Sequence, residues 1–166
     1  PLHPEEWYGN NGIELMRGSR LAGIDIDSSL ARFEGEGDVA WDRLILATGS
    51  RPLVPPVPGT GLDGVTVLRT MDDAEMLIER CAICSECVVI GGGLLGLETA
   101  GALSARGIEV TLLEMSGRLL PRQLNEEASR ILERHLASLG ITLIENALTR
   151  RLEGDERVSA VVLGDG

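Results

Sequence analysis

Apolar residues recur along this chain in two different rhythms. Over the first part they come in short runs, at 13–16, 21–26, 30–33 and 44–46, broken by Gly, Asp and Ser. Runs of that length between turn-forming residues predict strands joined as a β-meander. Beyond residue 70 the pattern changes, and helix-like and strand-like periods alternate. Cys87, Val88, Val89 and Ile90 make a short apolar strand, 94–106 a helix rich in small residues and 108–113 a second strand, which together predict a βαβ unit. A further helix is expected from Asn125: Glu126 and Glu127 favour its N-terminal dipole, Ala128, Ile131, Leu132, Leu136 and Leu139 form its apolar face, and Gly140 stops it. A strand at 141–144 follows, then a hairpin of 148–152 and 158–163 around Gly154 and Asp155, and a turn at Asp165 and Gly166.

Local signals add detail to this outline. Pro4 at a first helical position, with Glu5 and Glu6 behind it, predicts a short helix closed by a turn over 9–12. Thr70 and Asp73 have the spacing of a capping box, opening a helix through Met76, Leu77 and Ile78 toward Arg80. Between meander and βαβ unit, Pro52, Pro55, Pro56, Pro58, Gly59, Gly61 and Gly64 predict a strand-free connection, which places a domain boundary near residue 70. The expected division is 1–69 and 70–166.

Composition narrows the function classes. A chain of 166 residues holds one domain, or one plus part of another. A net charge of -11 and the absence of a basic cluster argue against a nucleic-acid partner. Every basic residue besides the histidines is Arg, so P-loop and Schiff-base lysine chemistries are excluded from this segment. The apolar runs break well short of a membrane span, so a soluble protein is expected; the first residues lack the pattern of a signal peptide, and an odd number of closely spaced cysteines suits a reducing compartment, so the cytoplasm is the expected location. A start at Pro1 without Met suggests an excised piece.

Cys81, Cys84 and Cys87 share the spacing of an iron–sulfur motif but lack a fourth ligand, and Cys87 begins a core strand; packing explains them, and no metal is expected. His3 and His135 have no evident partner, and Trp7, Tyr8 and Trp41 are too scattered to make a stacking platform.

The chemistry concentrates at residues 91–96, GGGLLG, a G-x-G-x-x-G directly after a strand and before a helix. Gly91 permits the tight turn, Gly93 lets backbone approach a pyrophosphate, and Gly96 lets the helix pack closely; with Leu94 and Leu95 they are the candidate phosphate contacts. Glu114 ends the next strand, where a carboxylate accepts hydrogen bonds from the adenosine ribose and repels a 2′-phosphate, which predicts NADH in preference to NADPH. Arg118, nearby, keeps NADPH open. Glu98 is read as lying in the first turn of the helix, where it either serves the helix dipole or points into the cleft near the nicotinamide.

In this order and spacing, ATGSRP at 47–52 after WDRLIL, LRTMDDAE at 68–75, VVIGGGLLGLETA at 88–100 and VTLLEMSGRLLPRQLNEE at 110–127 resemble the pyridine-nucleotide-disulfide oxidoreductase superfamily of two-dinucleotide flavoproteins. LLGLE and RLLPRQLNEE are most similar to the subgroup of NAD(P)H-dependent nitrite reductase large subunits and rubredoxin reductases. The resemblance implies an α/β fold: a Rossmann-like NAD-binding βαβ domain with a β-hairpin insertion, preceded by a meander fragment of an FAD-binding domain. It also implies that Ala47, Thr48 and Gly49 contact FAD, that Arg69 reaches it, and that Glu98 sits beside the nicotinamide and flavin as the candidate catalytic residue. Hydride would pass from nicotinamide C4 to flavin N5, with the protein supplying orientation. The family's first GxGxxG and its redox cysteine pair are absent from this sequence. The chain is therefore expected to be inactive alone, to self-associate through uncovered sheet edges, and to need an electron-acceptor domain or protein supplied from elsewhere. Two rivals are weaker. A dinucleotide-sensing module has no use for the meander and ATGSRP, and an S-adenosylmethionine site has no pyrophosphate to match the glycine loop.

Overall fold

The structure, a computed structural model, describes residues 3–35 and 37–164. The turn expected at Asp165 and Gly166 lies outside the described residues. The chain forms two compact units, Pro1–Gly49 and Ser50–Gly166.

The first unit holds α1 (Glu5–Asn10), β1 (Leu21–Asp25), β2 (Leu30–Phe33) and β3 (Val39–Ala40). The strands pair antiparallel in the order β1-β2-β3, so the meander is present. Its third strand is Val39–Ala40, however, and neither 13–16 nor 44–46 is a strand. An apolar run becomes a strand only where its backbone groups find a ladder partner; Ile45 is 88% exposed and is unpaired. Pro4 caps α1 from outside the helix instead of starting it. His3 is not partnerless: its ring stacks on Trp7 at 4.1 Å between centroids, and Tyr8 meets Trp7 edge-on.

The second unit holds α2 (Met71–Cys81), β4 (Glu86–Ile90), α3 (Leu94–Ser104), β5 (Glu109–Leu113), α4 (Glu126–Ser138), β6 (Thr142–Ile144), β7 (Thr149–Glu153) and β8 (Ala160–Leu163). Thr70 and Asp73 form the expected capping box, the Thr70 hydroxyl accepting the Asp73 N–H at 3.1 Å while the Asp73 carboxylate accepts the Thr70 N–H at 2.8 Å. Strands β4, β5 and β6 pair in parallel in sequence order, as two successive βαβ crossovers dictate. Ala100 and Leu103 of α3 and Leu136 of α4 pack with Val110 and Leu112 of β5, while Cys87, Val89 and Leu143 border the same cluster. Burying side chains such as Leu112 contributes about 1.5–3 kcal/mol each, and these form the main core of the chain.

The inward face of α4 is rotated from the expected one. Leu132 and Leu136 turn inward as expected, but Ile131 and Leu139 are 55% and 44% exposed and Ser129 is buried in their place. The hydroxyl of Ser129 makes this possible by reaching the Leu119 carbonyl at 3.1 Å, which satisfies a polar group in the core.

Antiparallel β7 and β8 form the expected hairpin, shifted by a residue or two from the sequence estimate. The Pro- and Gly-rich segment packs on this hairpin. The Leu152 N–H donates to the Pro58 carbonyl at 2.8 Å, and a β-carbon on Gly59 would stand 2.2 Å from the Leu152 oxygen. Asp63 clamps the hairpin turn: its carboxylate lies 2.8 Å from Arg80 and 3.8 Å from Arg157, and its backbone exchanges hydrogen bonds with Glu156 and Val158. With 58–64 held this way, the connecting segment belongs to the second compact unit, which begins at Ser50. Among the described residues no helix is long and apolar enough to cross a membrane.

Candidate functional site

Gly91 follows β4 directly and turns the chain with φ +110, a conformation side-chain-bearing residues rarely adopt. Its N–H stays on the sheet, donating to the Leu113 carbonyl at 2.8 Å. Gly93 is the N-cap of α3 and offers no capping side chain. The N–H groups of the first turn are therefore directed outward with no intrahelical acceptor, at the positive end of the helix dipole. A β-carbon on Gly93 would meet nothing within 4 Å, so its missing side chain leaves open space in front of those donors. Gly96 differs: a β-carbon there would stand 1.8 Å from the Gly91 oxygen, so the helix rests on the turn at this point.

Gly92, an ordinary position in the G-x-G-x-x-G pattern, is as constrained as its neighbours. A β-carbon on it would lie 2.8 Å from Glu114 Oε2 and 2.8 Å from Leu119 Cδ2. The Gly92 N–H donates to Glu114 Oε2 at 2.8 Å, and the Ser116 N–H donates to Glu114 Oε1 at 2.7 Å. Two charge-assisted bonds hold the carboxylate against the loop, and each oxygen keeps a lone pair for a further donor.

A cavity of about 610 Å³ opens in front of this arrangement. It is lined by Ile90, the loop from Gly91 to Gly96, Glu114, Ser116 and residues 120–123. The structure thus brings together Gly91, Gly93, Leu94, Leu95, Gly96 and Glu114, with Leu94 and Leu95 60% and 65% exposed at its mouth. Arg122 and Gln123 were not apparent from the sequence; they follow Glu114 by a loop whose path no local pattern reveals. Arg118 does not line the cavity, and its guanidinium donates to the Pro121 carbonyl at 3.1 Å.

Glu98 is exposed and lies in the second turn of α3, because the helix already begins at Leu94 inside the motif. The first turn carries no acidic residue, so the dipole explanation for Glu98 falls away. Ala47, Thr48 and Gly49 are exposed in the first unit, Gly49 with φ +77. In the second unit Arg69 Nε donates to Ser50, at 3.1 Å to its hydroxyl and 3.3 Å to its carbonyl. Cys81, Cys84 and Cys87 are free, half-buried thiols packed against the core cluster. Burial, then the neighbouring Cys84 and Cys81, push the Cys87 thiol above its usual range. Among the described residues no group of His, Cys, Asp and Glu is arranged to hold a metal ion.

Fold and loop define the class: an α/β chain whose central unit is the glycine-loop βαβ of dinucleotide-binding proteins. More particularly, the chain belongs to the pyridine nucleotide-disulphide oxidoreductase family, whose pattern matches residues 6–166. It is 37% identical over 161 residues to the large subunit of an NAD(P)H nitrite reductase from Klebsiella oxytoca, covering 97% of this chain and 17% of that protein. It is 32% identical to a rubredoxin-NAD(+) reductase from Pseudomonas putida, covering 100% of this chain and 43% of the other. The solved structure of a ferredoxin reductase from Rhodopseudomonas palustris superposes with a TM-score of 0.91 at 32% identity, over 99% of this chain and 41% of that one. The chain therefore spans less than half the length of each of these relatives.

Proposed function

We propose that this chain is the dinucleotide-binding part of a flavin-dependent NAD(P)H oxidoreductase of the nitrite reductase large-subunit type, and that it takes NADH ahead of NADPH. The observation that carries the reading is one cavity bounded by an uncapped helix end, a glycine loop and a carboxylate fixed to that loop. The residues present fit a dinucleotide. Open space at Gly93 admits a pyrophosphate to the first-turn N–H groups of α3, and the half-buried Glu114 has lone pairs left for ribose hydroxyls. A 2′-phosphate would add negative charge beside that carboxylate.

When bound, the nicotinamide supplies a hydride and FAD accepts it. The chain's own part is to orient: the α3 N-terminus fixes the pyrophosphate, Glu114 the ribose, and exposed Glu98 meets the nicotinamide end. Ala47, Thr48, Gly49 and Arg69 are proposed as FAD contacts on the strength of the family resemblance. By function the proposed division is 1–69, FAD-contacting, and 70–166, NAD-binding, with 50–69 packed in the same compact unit as the latter; the proposed compartment is the cytoplasm. Relatives named for rubredoxin and ferredoxin reduction support an electron-carrier protein or domain as partner. The exposed apolar Val88, Ile90 and Ile144 on the sheet support self-association at high concentration.

Calorimetric titration with NADH, NADPH and FAD, beside Glu114→Ala, tests the reading. Saturable NADH binding that weakens in the variant is expected; a chain that binds none of the nucleotides would sink the proposal.

A further inference from the structure

Glu114 and Glu145 are neighbours across the sheet. Leu113 and Ile144 are the last registered pair of β5 and β6, and the Glu114 N–H donates to the Ile144 carbonyl at 2.9 Å. The next residue on each strand is a glutamate. Past them the two segments stay joined, with the Ala147 N–H donating to the Glu114 carbonyl at 2.9 Å and the Asn146 N–H to the Ser116 carbonyl at 3.2 Å. From α4, Glu133 is the third carboxylate of the group, beside Ser129.

This corner is short of protons. Ser129 is 1% exposed, and its hydroxyl lies 3.1 Å from the Leu119 carbonyl oxygen and 3.1 Å from Glu133 Oε1. A hydroxyl carries one proton, so it cannot donate to both acceptors at once. Glu145 Oε1 is sealed from solvent and meets no donor at all. A proton on Glu145 removes the charge from a carboxylate whose sealed oxygen finds no partner, and a proton on Glu133 would let that carboxyl donate to the Ser129 hydroxyl. The charged groups acting on Glu145 are Glu133 from α4 and Glu114 from the end of β5, both negative. Burial first, then Glu133, then Glu114, push its carboxyl above the usual carboxylate range.

We infer that Glu145, backed by Glu133, is a proton-linked specificity residue for the dinucleotide site. With its proton on, Glu114 alone faces the adenosine ribose. With the proton off, a second negative charge stands behind Glu114 and strengthens rejection of a 2′-phosphate. The inference rests on the dinucleotide reading proposed above. Glu145 acts through Glu114, as a positioning residue, and need not touch the ligand.

The test is calorimetric titration of the full chain and of Glu145→Gln with NADH and NADPH, at about pH 5.5 and about pH 8. The 2′-phosphate itself takes up a proton near pH 6, so the comparison is between proteins and not between pH values. The ratio of the NADPH Kd to the NADH Kd should rise with pH on the order of threefold to tenfold more in the wild type than in Glu145→Gln. Identical pH courses of that ratio, with NADH bound by both proteins, would overturn the inference and leave the dinucleotide reading standing. Failure of the wild type to bind either nucleotide would remove both. An NMR titration of the Glu145 carboxyl in the wild type needs no binding and no stable Glu145 variant. A midpoint above the other glutamates, falling in Glu133→Gln, is expected; an ordinary midpoint overturns the inference.

Discussion

The α-carbon of Gly96 approaches the carbonyl of Gly91 so closely that a β-carbon would stand 1.8 Å from its oxygen. Gly96→Ala must therefore push α3 away from the end of β4, at about 1–3 kcal/mol of stability, and disturb the cavity. Thermal denaturation should show the loss and calorimetry a weaker NADH complex. Gly101→Ala, on the same helix with nothing within 4 Å of the added carbon, should be neutral or stabilise by about 1 kcal/mol.

Gly93 separates ligand room from folding. Its φ of -72 suits any residue, and a β-carbon there meets no atom of the protein within 4 Å. Gly93→Ala should melt like the wild type yet bind NADH at least tenfold more weakly. Unchanged affinity would mean that no pyrophosphate approaches this position.

Glu114 holds the glycine loop as well as facing the cavity. Glu114→Ala leaves the N–H of buried Gly92 without its acceptor, at a cost of about 1–3 kcal/mol. Both stability and NADH affinity should fall, while Glu114→Gln, which keeps one acceptor oxygen, should recover part of the stability. A Glu114→Ala protein as stable as the wild type would show that the loop does not depend on this bond.

Asp63 provides a pH prediction. Its hydrogen bond from Arg80, with the charges of Arg80 and Arg157 behind it, holds the carboxyl below the usual carboxylate range. A depressed folded-state value means stability that is present above the unfolded value and lost as pH falls through the folded one. The wild type should lose stability at acid pH, below the ordinary Asp range, more steeply than Asp63→Asn, as followed by melting temperature. Parallel pH courses would argue that the clamp on the hairpin contributes nothing.

How much of this was legible in the sequence depended on where the controlling partners lie. The loop at 91–96, its flanking strand and helix and the carboxylate of Glu114 belong to one βαβ unit, and each is announced by neighbours close in sequence. The demand on Gly92 was not, because the side chains that forbid a β-carbon, Glu114 and Leu119, arrive from the next strand and the loop beyond it. Glu98 belongs to the second turn even on the helix start at 94 that the sequence predicts, since it is the fifth residue of α3. The run at 44–46 looks as strand-like as 21–25, and only the presence of a pairing partner distinguishes them. In α4 the apolar pattern favoured Ile131 as a core residue, while the buried hydroxyl of Ser129, satisfied by a carbonyl, was invisible to hydropathy.

The three thiols at 81, 84 and 87 have a practical consequence. Because they are half-buried against the core, and burial holds Cys87 in its less nucleophilic form, an alkylating reagent reacts with them more slowly while that corner stays closed. Their labelling rate is thus a built-in clock for local opening, and slowing of that clock by a bound nucleotide would report how far ordering spreads from the cavity into the far end of the sheet.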